Sequence, residues 1–346
     1  MKKVSVHHVA ADAGVSTATV SRALNDHPTV TAETRARVLA SAKRLGYTPS
    51  FAARSLRSRR TGVLGLILPS LRNPFFPELI DHTTRAAERV GFGISLAVTE
   101  NAEQHVLSMA GQGSVDGIIL VGTDTDPEAP KRELPVPVPL VSIDRAPRGI
   151  ATDVFQVDNA EGARSITEHL LALGHHRIGH ISGPIGTEVG AARRGGYERA
   201  LRSAGIPVDP TLIVPGAFSE RSGFAATRIL MARENPPTAI FAANDMTAIG
   251  CLSALRQQRA AGPVAVAGFD DIGLAGYVWP ALTTYRQPIA ELAVRSVERV
   301  LHGITVGTAI PRALARAPTL IPGILVVRES TLDPHHPLIP LPQGAS

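Results

Sequence analysis

The sequence predicts an all-α helix-turn-helix head over residues 1–48 and an α/β body over residues 61–330 with two doubly wound parallel-sheet subdomains. Three observations predict this organisation. Basic residues concentrate at the start of the chain, apolar residues there recur at helical spacing, and after Arg60 short apolar strands alternate with helical segments. A chain of 346 residues is also too long for one simple core.

The composition excludes several classes of protein. No apolar run approaches the roughly 18 residues that a membrane span needs, and the first ten residues lack the apolar stretch of a signal peptide. The single cysteine, Cys251, excludes an intramolecular disulfide and a cysteine-rich zinc site. We therefore expect a cytoplasmic protein that needs no membrane, metal or cofactor.

The head carries a strong positive charge. Residues 1–60 hold 11 Lys and Arg against 3 Asp and Glu, a net of +8, whereas the whole chain carries +5, which leaves −3 for residues 61–346. A basic segment on a mildly acidic body is typical of a separate nucleic-acid-binding module. The alternative, a solvated basic tail, is disfavoured because this segment has a regular apolar pattern.

That apolar pattern predicts three helices. The first spans Val6 to Ala13 behind Ser5, a residue type that caps helix N-termini, and it ends at Gly14. The second runs from about Ser16 to Asn25, and the third lies between Thr31 and Gly46. Two short helices joined by a tight glycine turn, with a third that braces them, form the helix-turn-helix arrangement.

These residues also carry a resemblance to a known family. Residues 9–61, VAADAGVSTATVSRALNDHPTVTAETRARVLASAKRLGYTPSFAARSLRSRRT, are similar almost position for position to the head of the lactose-repressor (LacI/GalR) family of bacterial transcriptional regulators. The resemblance continues through NPFF, VDGIIL, VDNAEGA, LGHHRI, NDMTAIG, GFDD, LTT and RES, and covers roughly residues 4–330. It implies a regulator, expected to be a repressor, that binds operator DNA and senses a small, sugar-like effector.

The resemblance implies that the second helix enters the major groove and that Thr17, Ala18 and Arg22 contact bases. Arg22 can form two hydrogen bonds to guanine, which discriminates between bases by about 1–3 kcal/mol, and the alternative is a phosphate contact. Because Ala18 can make only an apolar contact, Arg22 is the expected chief determinant of specificity. Further residues are expected to contact the DNA backbone: Ser16, Thr19, Ser21, Asn25 and Arg35.

Residues 49–60 resemble the hinge helix and linker of that family, in which paired hinges insert a leucine into the minor groove. Leu56 matches that leucine, and Ala53 belongs to the same predicted DNA-binding set. The alternative is an ordinary linker helix. Hinges that work in pairs imply a homodimer and a near-palindromic operator. His8 stands where the family usually has an acidic residue, which is expected to weaken the first helix slightly.

In the body, continuous apolar runs separated by helical segments predict parallel strands in two doubly wound halves. The resemblance implies the periplasmic-binding-protein-like architecture, with expected subdomains of residues 61–157 plus 288–317 and 158–287 plus 318–330. Ligands of open α/β sheets bind beyond the carboxyl ends of the strands. Nine strands are predicted: VLGLILP, FGISLAV, GIILVG, PLVSID, RIGHIS, LIVPG, AIFAAND, VAVAGFD and ILVVRE.

Polar side chains follow several of these strands. A sugar needs hydrogen-bonding groups around its edge and an aromatic ring on its face. Strand ends supply Asp270 and Asn244 for the edge, and the resemblance adds Arg193. The other predicted effector residues are Phe75, Phe76, Phe218, Asp144, Arg145 and Gln287. Each has another possible role: Asp270 and Asp245 as helix caps, Phe75 and Phe76 as core, Asp144 as a partner of Arg145. A nucleobase could also stack on the same phenylalanines.

Enzyme activity is not predicted. The stretch ISGPIGTEVGAARRGG lacks the spacing of both common phosphate-binding motifs, and no G-x-S-x-G occurs. His175, His176 and His180 span a helix end and a strand, so they cannot share one face as metal ligands. Residues 331–346 are proline-rich and predicted to be disordered, without the leucine heptads of a tetramer, so we expect a dimer. The remaining alternative is a ligand-independent DNA-binding protein whose body only dimerises.

Overall fold

The computed structural model describes residues 4–24, 27–47, 60–122, 138–144, 153–184, 186–258, 263–307 and 317–332. It divides into two compact units, Met1–Gly62 and Val63–Ser346. The predicted helix-turn-helix head corresponds to the first unit, and the predicted α/β body to the second.

Three helices form the first unit: α1 (Val6–Ala13), α2 (Thr17–Leu24) and α3 (Ala32–Arg44). All three predicted helices are confirmed, with ends shifted by one or two residues. Val9, Val20 and Val38, one from each helix, are fully buried at the centre of the core. Gly14 adopts a left-handed φ of 65° at the end of α1, a conformation that glycine adopts without strain. The turn from α1 into α2 is therefore tight.

His8 has a role at the start of α1 that its charge alone did not predict. Its Nδ1 accepts a hydrogen bond from the backbone N–H of Ser5 at 3.0 Å. In a capping box this donor is satisfied by the side chain of Glu or Gln at the same position. His8 therefore loses the favourable charge of an acidic residue but keeps its hydrogen bond, so the expected weakening of α1 is smaller than the charge alone suggests.

Two six-stranded sheets form the second unit, in the orders β11-β5-β4-β3-β1-β2 and β12-β10-β9-β8-β6-β7. All neighbouring strands are parallel except β10 and β12. The first sheet contains β1 (Val63–Leu68), β2 (Gly93–Val98), β3 (Gly117–Val121), β4 (Leu140–Ile143), β5 (Asp153–Val157) and β11 (Thr319–Ile321). The second contains β6 (Ile178–Ser182), β7 (Ile213–Pro215), β8 (Ala239–Ala242), β9 (Ala265–Asp270), β10 (Thr283–Arg286) and β12 (Ile324–Val326).

Helices cover both faces of each sheet, which is why inner strands such as β1, β3 and β8 are apolar at nearly every position rather than alternating. In β1, Leu66 packs in the same core as Leu79 and Val297, whereas its neighbour Ile67 packs with Val106 on the other face. No helix in the described ranges is long and apolar enough to cross a membrane. The helices of this unit are α4 (Phe75–Arg89), α5 (Ala102–Gly111), α6 (Asn159–Ala172), α7 (Glu188–Ser203), α8 (Glu220–Met231), α9 (Asp245–Gln258) and α10 (Ile289–Val306).

The chain crosses between the sheets after β5, after β10 and between β11 and β12. The predicted boundary at residue 318, where the chain was expected to enter the second subdomain for the last time, lies too early. Strand β11 still pairs with β5 of the first sheet, with Thr319 opposite Phe155. The true crossing is the Pro322–Gly323 turn that follows β11. A three-residue strand has too short a pattern to reveal its sheet.

The predicted disordered tail also begins too early. Thr331 is buried, and its hydroxyl lies 2.8 Å from Thr283 Oγ1 and 2.9 Å from His169 Nε2. These contacts hold Thr331 on the second sheet. Residues 333–346 lie outside the described residues.

Candidate functional site

Helix α2 separates an apolar face from an exposed one. Val20 and Ala23 are buried in the head core, whereas Ala18 and Arg22, one turn apart, are exposed, and Thr17 is half-buried. Residues four apart share a helix face. The structure thus places the expected base-contacting residues on a surface that another molecule can reach.

The residues expected to contact the DNA backbone have contacts within the head. Ser16 Oγ accepts a hydrogen bond from the backbone N–H of Thr19 at 3.1 Å and so caps α2. Arg35 Nη2 donates to His27 O at 3.1 Å, which ties α3 to the segment before it. Ser21 is half-buried on α2. Four predicted site residues lie outside the described ranges: Asn25, Ala53, Leu56 and Arg145.

In the second unit, the predicted effector residues lie at the carboxyl ends of parallel strands. Asp144 follows β4 in the first sheet, while Asp270 ends β9 and Gln287 follows β10 in the second. Asn73, after β1, donates through Nδ2 to Asp270 Oδ2 at 3.4 Å. That contact brings the ends of the two sheets together, and we call the space between them the cleft.

Arg193 of α7 is buried in the second-sheet wall of the cleft and is held from several sides. Its Nε donates to Asn159 Oδ1 at 2.8 Å, and its Nη1 donates to Ala243 O at 2.6 Å. Its Nη2 lies 3.5 Å from Asp270 Oδ1, and its Cζ lies 3.7 Å from the centre of the Phe269 ring. A guanidinium group has five N–H donors in one plane. These contacts fix that plane and, among the described residues, leave two donors for a ligand.

Asp270 is the acceptor that faces Arg193. Its Oδ1 accepts a hydrogen bond from Gln287 Nε2 at 2.7 Å. Burial raises the pKa of the Asp270 carboxyl, while Arg193, Gln287 and Asn73 act against that rise. Gln287 is itself buried, and its Oε1 has no hydrogen-bond partner in the described part of the chain. Asp270 and Gln287 can therefore accept further hydrogen bonds from a ligand in the cleft.

Three carboxyl groups lie close enough to Arg193 to act on its charge. Burial lowers the pKa of the Arg193 guanidinium, and three carboxyl groups oppose this effect, those of Asp270, Asp144 and Asp245. Asp245 is fully buried, and burial together with the charge of Asp270 raises its pKa. A ligand with its own negative charge would compete with Asp270 for Arg193, whereas a neutral ligand with hydroxyl groups would not.

Asn244 and Asp245 both follow strand β8, and the strand-end pattern alone did not show which of the two caps the next helix, α9. Asn244 Oδ1 accepts a hydrogen bond from Thr247 N at 3.0 Å and so caps α9, while its Nδ2 donates to Phe218 O at 3.3 Å. Asp245 instead accepts hydrogen bonds from Ile272 N and Thr284 Oγ1, at 2.9 and 2.5 Å. The cap is therefore Asn244, and the alternative role of Asp245 as a cap is wrong.

The phenylalanines divide between core and cleft. Phe75 is 3% exposed and packs in the core of the first sheet, which matches the alternative core role expected for it, and its stacking on a ligand stays a prediction. Phe76 is partly buried, with its ring centre 5.4 Å from that of Phe75. Phe218 is half-buried, and its ring lies 5.9 Å from Arg193 Cζ. Gly183 lies so close to this ring that a Cβ there would be 2.3 Å from Phe218 Cζ.

Comparison with known proteins agrees with this geometry. Residues 5–50 match the bacterial regulatory proteins of the lacI family, and residues 167–331 match the periplasmic binding protein-like domain. The ribose operon repressor of Escherichia coli K12 is 36% identical over 322 residues, which cover 90% of this chain and 97% of the relative. The chain belongs to the LacI family.

Solved structures of LacI-family members share the fold. The lac repressor dimer bound to operator and the anti-inducer ONPF superposes with a TM-score of 0.81 at 26% identity, over 96% of this chain and 100% of that one. A LacI-family transcriptional regulator from Enterococcus faecium with bound ribose gives a TM-score of 0.68 at 26% identity, over 78% and 98%. The predicted family, helix-turn-helix head and periplasmic-binding-protein-like body are confirmed.

Two residues beside Arg193 in this LacI-family cleft were not predicted from sequence: Asn159 and Phe269. Asn159 follows β5, so the strand-end rule that selected Asp270 could have selected it as well. Phe269 lies within β9, where a buried aromatic residue is ordinary core, and only its stacking on Arg193 shows that it supports the site. No sequence pattern would have separated it from the other buried phenylalanines.

Proposed function

We propose that this LacI-family chain is a transcriptional repressor that binds a near-palindromic operator as a homodimer and changes its affinity for DNA when a neutral sugar binds in the cleft. The head would contact bases through Thr17, Ala18 and Arg22 of α2, and the DNA that it binds would place its action in the cytoplasm. No chemical reaction is proposed for the cleft.

The observation that carries the sugar proposal is the buried pair of Arg193 and Asp270. A sugar hydroxyl is both donor and acceptor, so adjacent hydroxyls can accept from the unused N–H groups of Arg193 and donate to Asp270 or Gln287 Oε1. Leaving such buried groups without a partner costs about 1–3 kcal/mol each. A ligand without a donor and an acceptor at these positions would leave the groups unpaired, and adjacent sugar hydroxyls supply both.

The charge and the aromatic residues of the cleft narrow the effector further. The positive charge of Arg193 is already paired with Asp270, which disfavours a sugar phosphate. Phe75 packs in the core of the first sheet and Phe269 stacks on Arg193, so both rings already have packing partners, which disfavours a nucleobase held between two rings. The ribose named for the E. coli relative and for the E. faecium structure is a sugar of the expected kind.

Thermal melting of the full chain with a panel of compounds tests the effector class. A ligand at 100 times its Kd stabilises the folded state by about 2.7 kcal/mol, which raises Tm by roughly 5–10 °C. We expect such a shift with D-ribose or another free monosaccharide and none with D-ribose 5-phosphate, its charged counterpart. A shift with adenine and not with sugars would replace the proposed class, and no shift with any compound would favour a ligand-independent DNA-binding protein.

Exposed apolar side chains support the proposed dimer. Tyr277 and Trp279, two positions apart, are 89% and 80% exposed, and neighbouring aromatic side chains this exposed are typical of an interface. Trp279 is the single tryptophan of the chain, so its fluorescence emission should shift to longer wavelength as the protein is diluted and the dimer dissociates. Emission that stays constant while sedimentation shows dissociation would remove Trp279 from the interface.

A further inference from the structure

Asp271, the neighbour of Asp270, is held by an arginine on each carboxylate oxygen. Arg286 Nε lies 2.6 Å from Asp271 Oδ2, and Arg328 Nη1 lies 2.7 Å from Asp271 Oδ1. The Asp271 side chain is only 6% exposed, so these are ion pairs with little competition from water at the carboxylate. None of these three residues belongs to the predicted effector site. We call them the Asp271 clamp.

The backbone at this point needs such support. Asp270 has φ 118° and Asp271 has φ 59°, two consecutive positive values at residues with a side chain. Conformations of this kind persist only where the surrounding structure enforces them. Both carboxylate oxygens of Asp271 are fixed by the clamp, and its backbone N–H donates to Thr284 Oγ1 at 3.3 Å. The same turn directs the Asp270 carboxylate toward Arg193 and Gln287.

Both arginines also lie next to crossings between the sheets. Arg286 is the last residue of β10, directly before the crossing into α10, and Arg328 follows β12, which the chain enters from the first sheet. Arg328 is fixed further, because its Nη1 donates to Leu282 O at 2.8 Å and its backbone N–H donates to Thr283 Oγ1 at 2.8 Å. The clamp therefore links two of the three crossing segments to the residue that faces the effector.

We infer that Arg328 and Arg286 are positioning residues for effector binding, which act through Asp271 to hold Asp270 in its binding orientation. The inference rests on the proposed function, because it concerns the same cleft. Through this contact, a movement of the two crossing segments changes the position of Asp270. Because coupling between two sites is reciprocal, an effector bound to Asp270 also shifts the preferred position of those segments.

The test uses the full chain with Arg328→Gln, Arg286→Gln and Arg328→Lys. The control is Arg202→Gln, which removes an exposed partner of Glu198 on α7. Calorimetry measures the affinity for D-ribose. Fluorescence anisotropy measures operator affinity without sugar, on a DNA duplex selected with the wild type. Hydrogen exchange of residues 268–273 measures local opening of the backbone. We expect Arg328→Gln to weaken D-ribose binding at least tenfold and to speed exchange at 268–273, with operator affinity within twofold of wild type. Arg328→Lys, which keeps one charged donor, should recover part of the loss, and Arg202→Gln should match wild type.

Other results would count against the inference. Wild-type D-ribose affinity and wild-type exchange at 268–273 in Arg328→Gln would overturn the inference. Faster exchange across both sheets would show a general role in stability and would also overturn it. If Arg328→Gln does not fold, Arg286→Gln carries the same expectation, because the Arg286 side chain is 50% exposed and its loss is easier to tolerate. If the wild type does not bind D-ribose, the effector proposal fails separately, and local exchange in the variants still decides the role of the clamp.

Discussion

The head and the body build their candidate sites in different ways. On α2, Ala18 and Arg22 are exposed, four positions apart on one helix, and the core residues lie on the opposite face. In the cleft, Asn73 and Asp270 are 197 positions apart, and Arg193 is buried among groups from three elements. A residue of the head site can therefore change with little effect on folding, whereas a residue of the cleft affects both binding and stability.

The largest expected effect is that of Asp270→Asn, which leaves Arg193 buried without its carboxylate partner. Removing one partner of a buried ion pair costs about 3–5 kcal/mol, and we expect effector affinity to fall at least about 100-fold while operator affinity stays within threefold. Calorimetry with the effector found in the melting panel measures the first effect, and anisotropy the second. The matched control is Asp209→Asn, whose carboxylate pairs with Arg177 at 3.2 Å in a half-buried position outside the cleft. An unchanged effector affinity in Asp270→Asn would remove Asp270 from the site.

The body should lose stability in mild acid through His180. This side chain is fully buried between the rings of Tyr197 and Phe241, at 4.9 and 4.7 Å, and burial lowers the pKa of His180 from 6.5 to about 4. As pH falls from 6.5 to 4, the unfolded chain binds a proton that the folded chain does not, so stability is full above pH 6.5 and declines through this window. The expected loss from this residue is about 3 kcal/mol at pH 4.

Chemical denaturation at pH 7, 5.5 and 4 measures this loss in the wild type and in His180→Phe, which keeps a ring of similar size. At pH 7 the variant should be about 1 kcal/mol less stable, because Phe241 O loses the hydrogen bond from His180. Between pH 7 and 4 it should lose less stability than the wild type. His176→Gln, at an exposed position, should follow the wild type. Parallel curves for wild type and His180→Phe would contradict the assignment.

The same contrast explains what the sequence could and could not predict. Caps, a glycine turn and apolar spacing are local, so the three head helices were placed within one or two residues. The nine predicted strands are all present, but β5, β10 and β11 were missed because they are short and more polar, and their places depend on neighbouring strands. Asp270 was selected by the strand-end rule and Arg193 by family resemblance, and the structure brings their side chains within 3.5 Å, while their role in effector binding stays a prediction.

Side chains that hold other side chains were the hardest to predict. Asn159 and Phe269 fix the Arg193 guanidinium, and Arg328 reaches Asp271 from 57 positions further along the chain. Phe75 was hard to assign for a different reason. A phenylalanine that follows a strand can either stack on a ligand or pack in the core, where the structure places Phe75. Only the packing of α4 on the first sheet decides between these roles.

In the head, Arg22→Ala should change specificity without changing the fold. Loss of two hydrogen bonds to guanine weakens binding to the preferred operator by about 1–3 kcal/mol and has little effect on operator variants that lack that guanine. The free energy of unfolding should change by less than about 0.5 kcal/mol, because the Arg22 side chain is exposed. Selection from a randomised duplex library followed by anisotropy measures this change. Arg37→Ala, at an exposed position on α3, is the control. An equal loss on all sequences would identify Arg22 as a phosphate contact.

The smallest expected effect concerns the first turn of α1. His8→Ala removes the acceptor that lies 3.0 Å from the Ser5 N–H, so α1 should open more easily by about 0.5–1 kcal/mol. His8→Glu keeps an acceptor and adds a negative charge at the positive end of the helix dipole, so it should protect α1 slightly more than the wild type does. Hydrogen exchange of residues 6–13 in the full chain measures both. If alanine and histidine protect α1 equally, the His8 contact does not stabilise the helix, and even this local part of the head depends on packing against α2 and α3 rather than on its own cap.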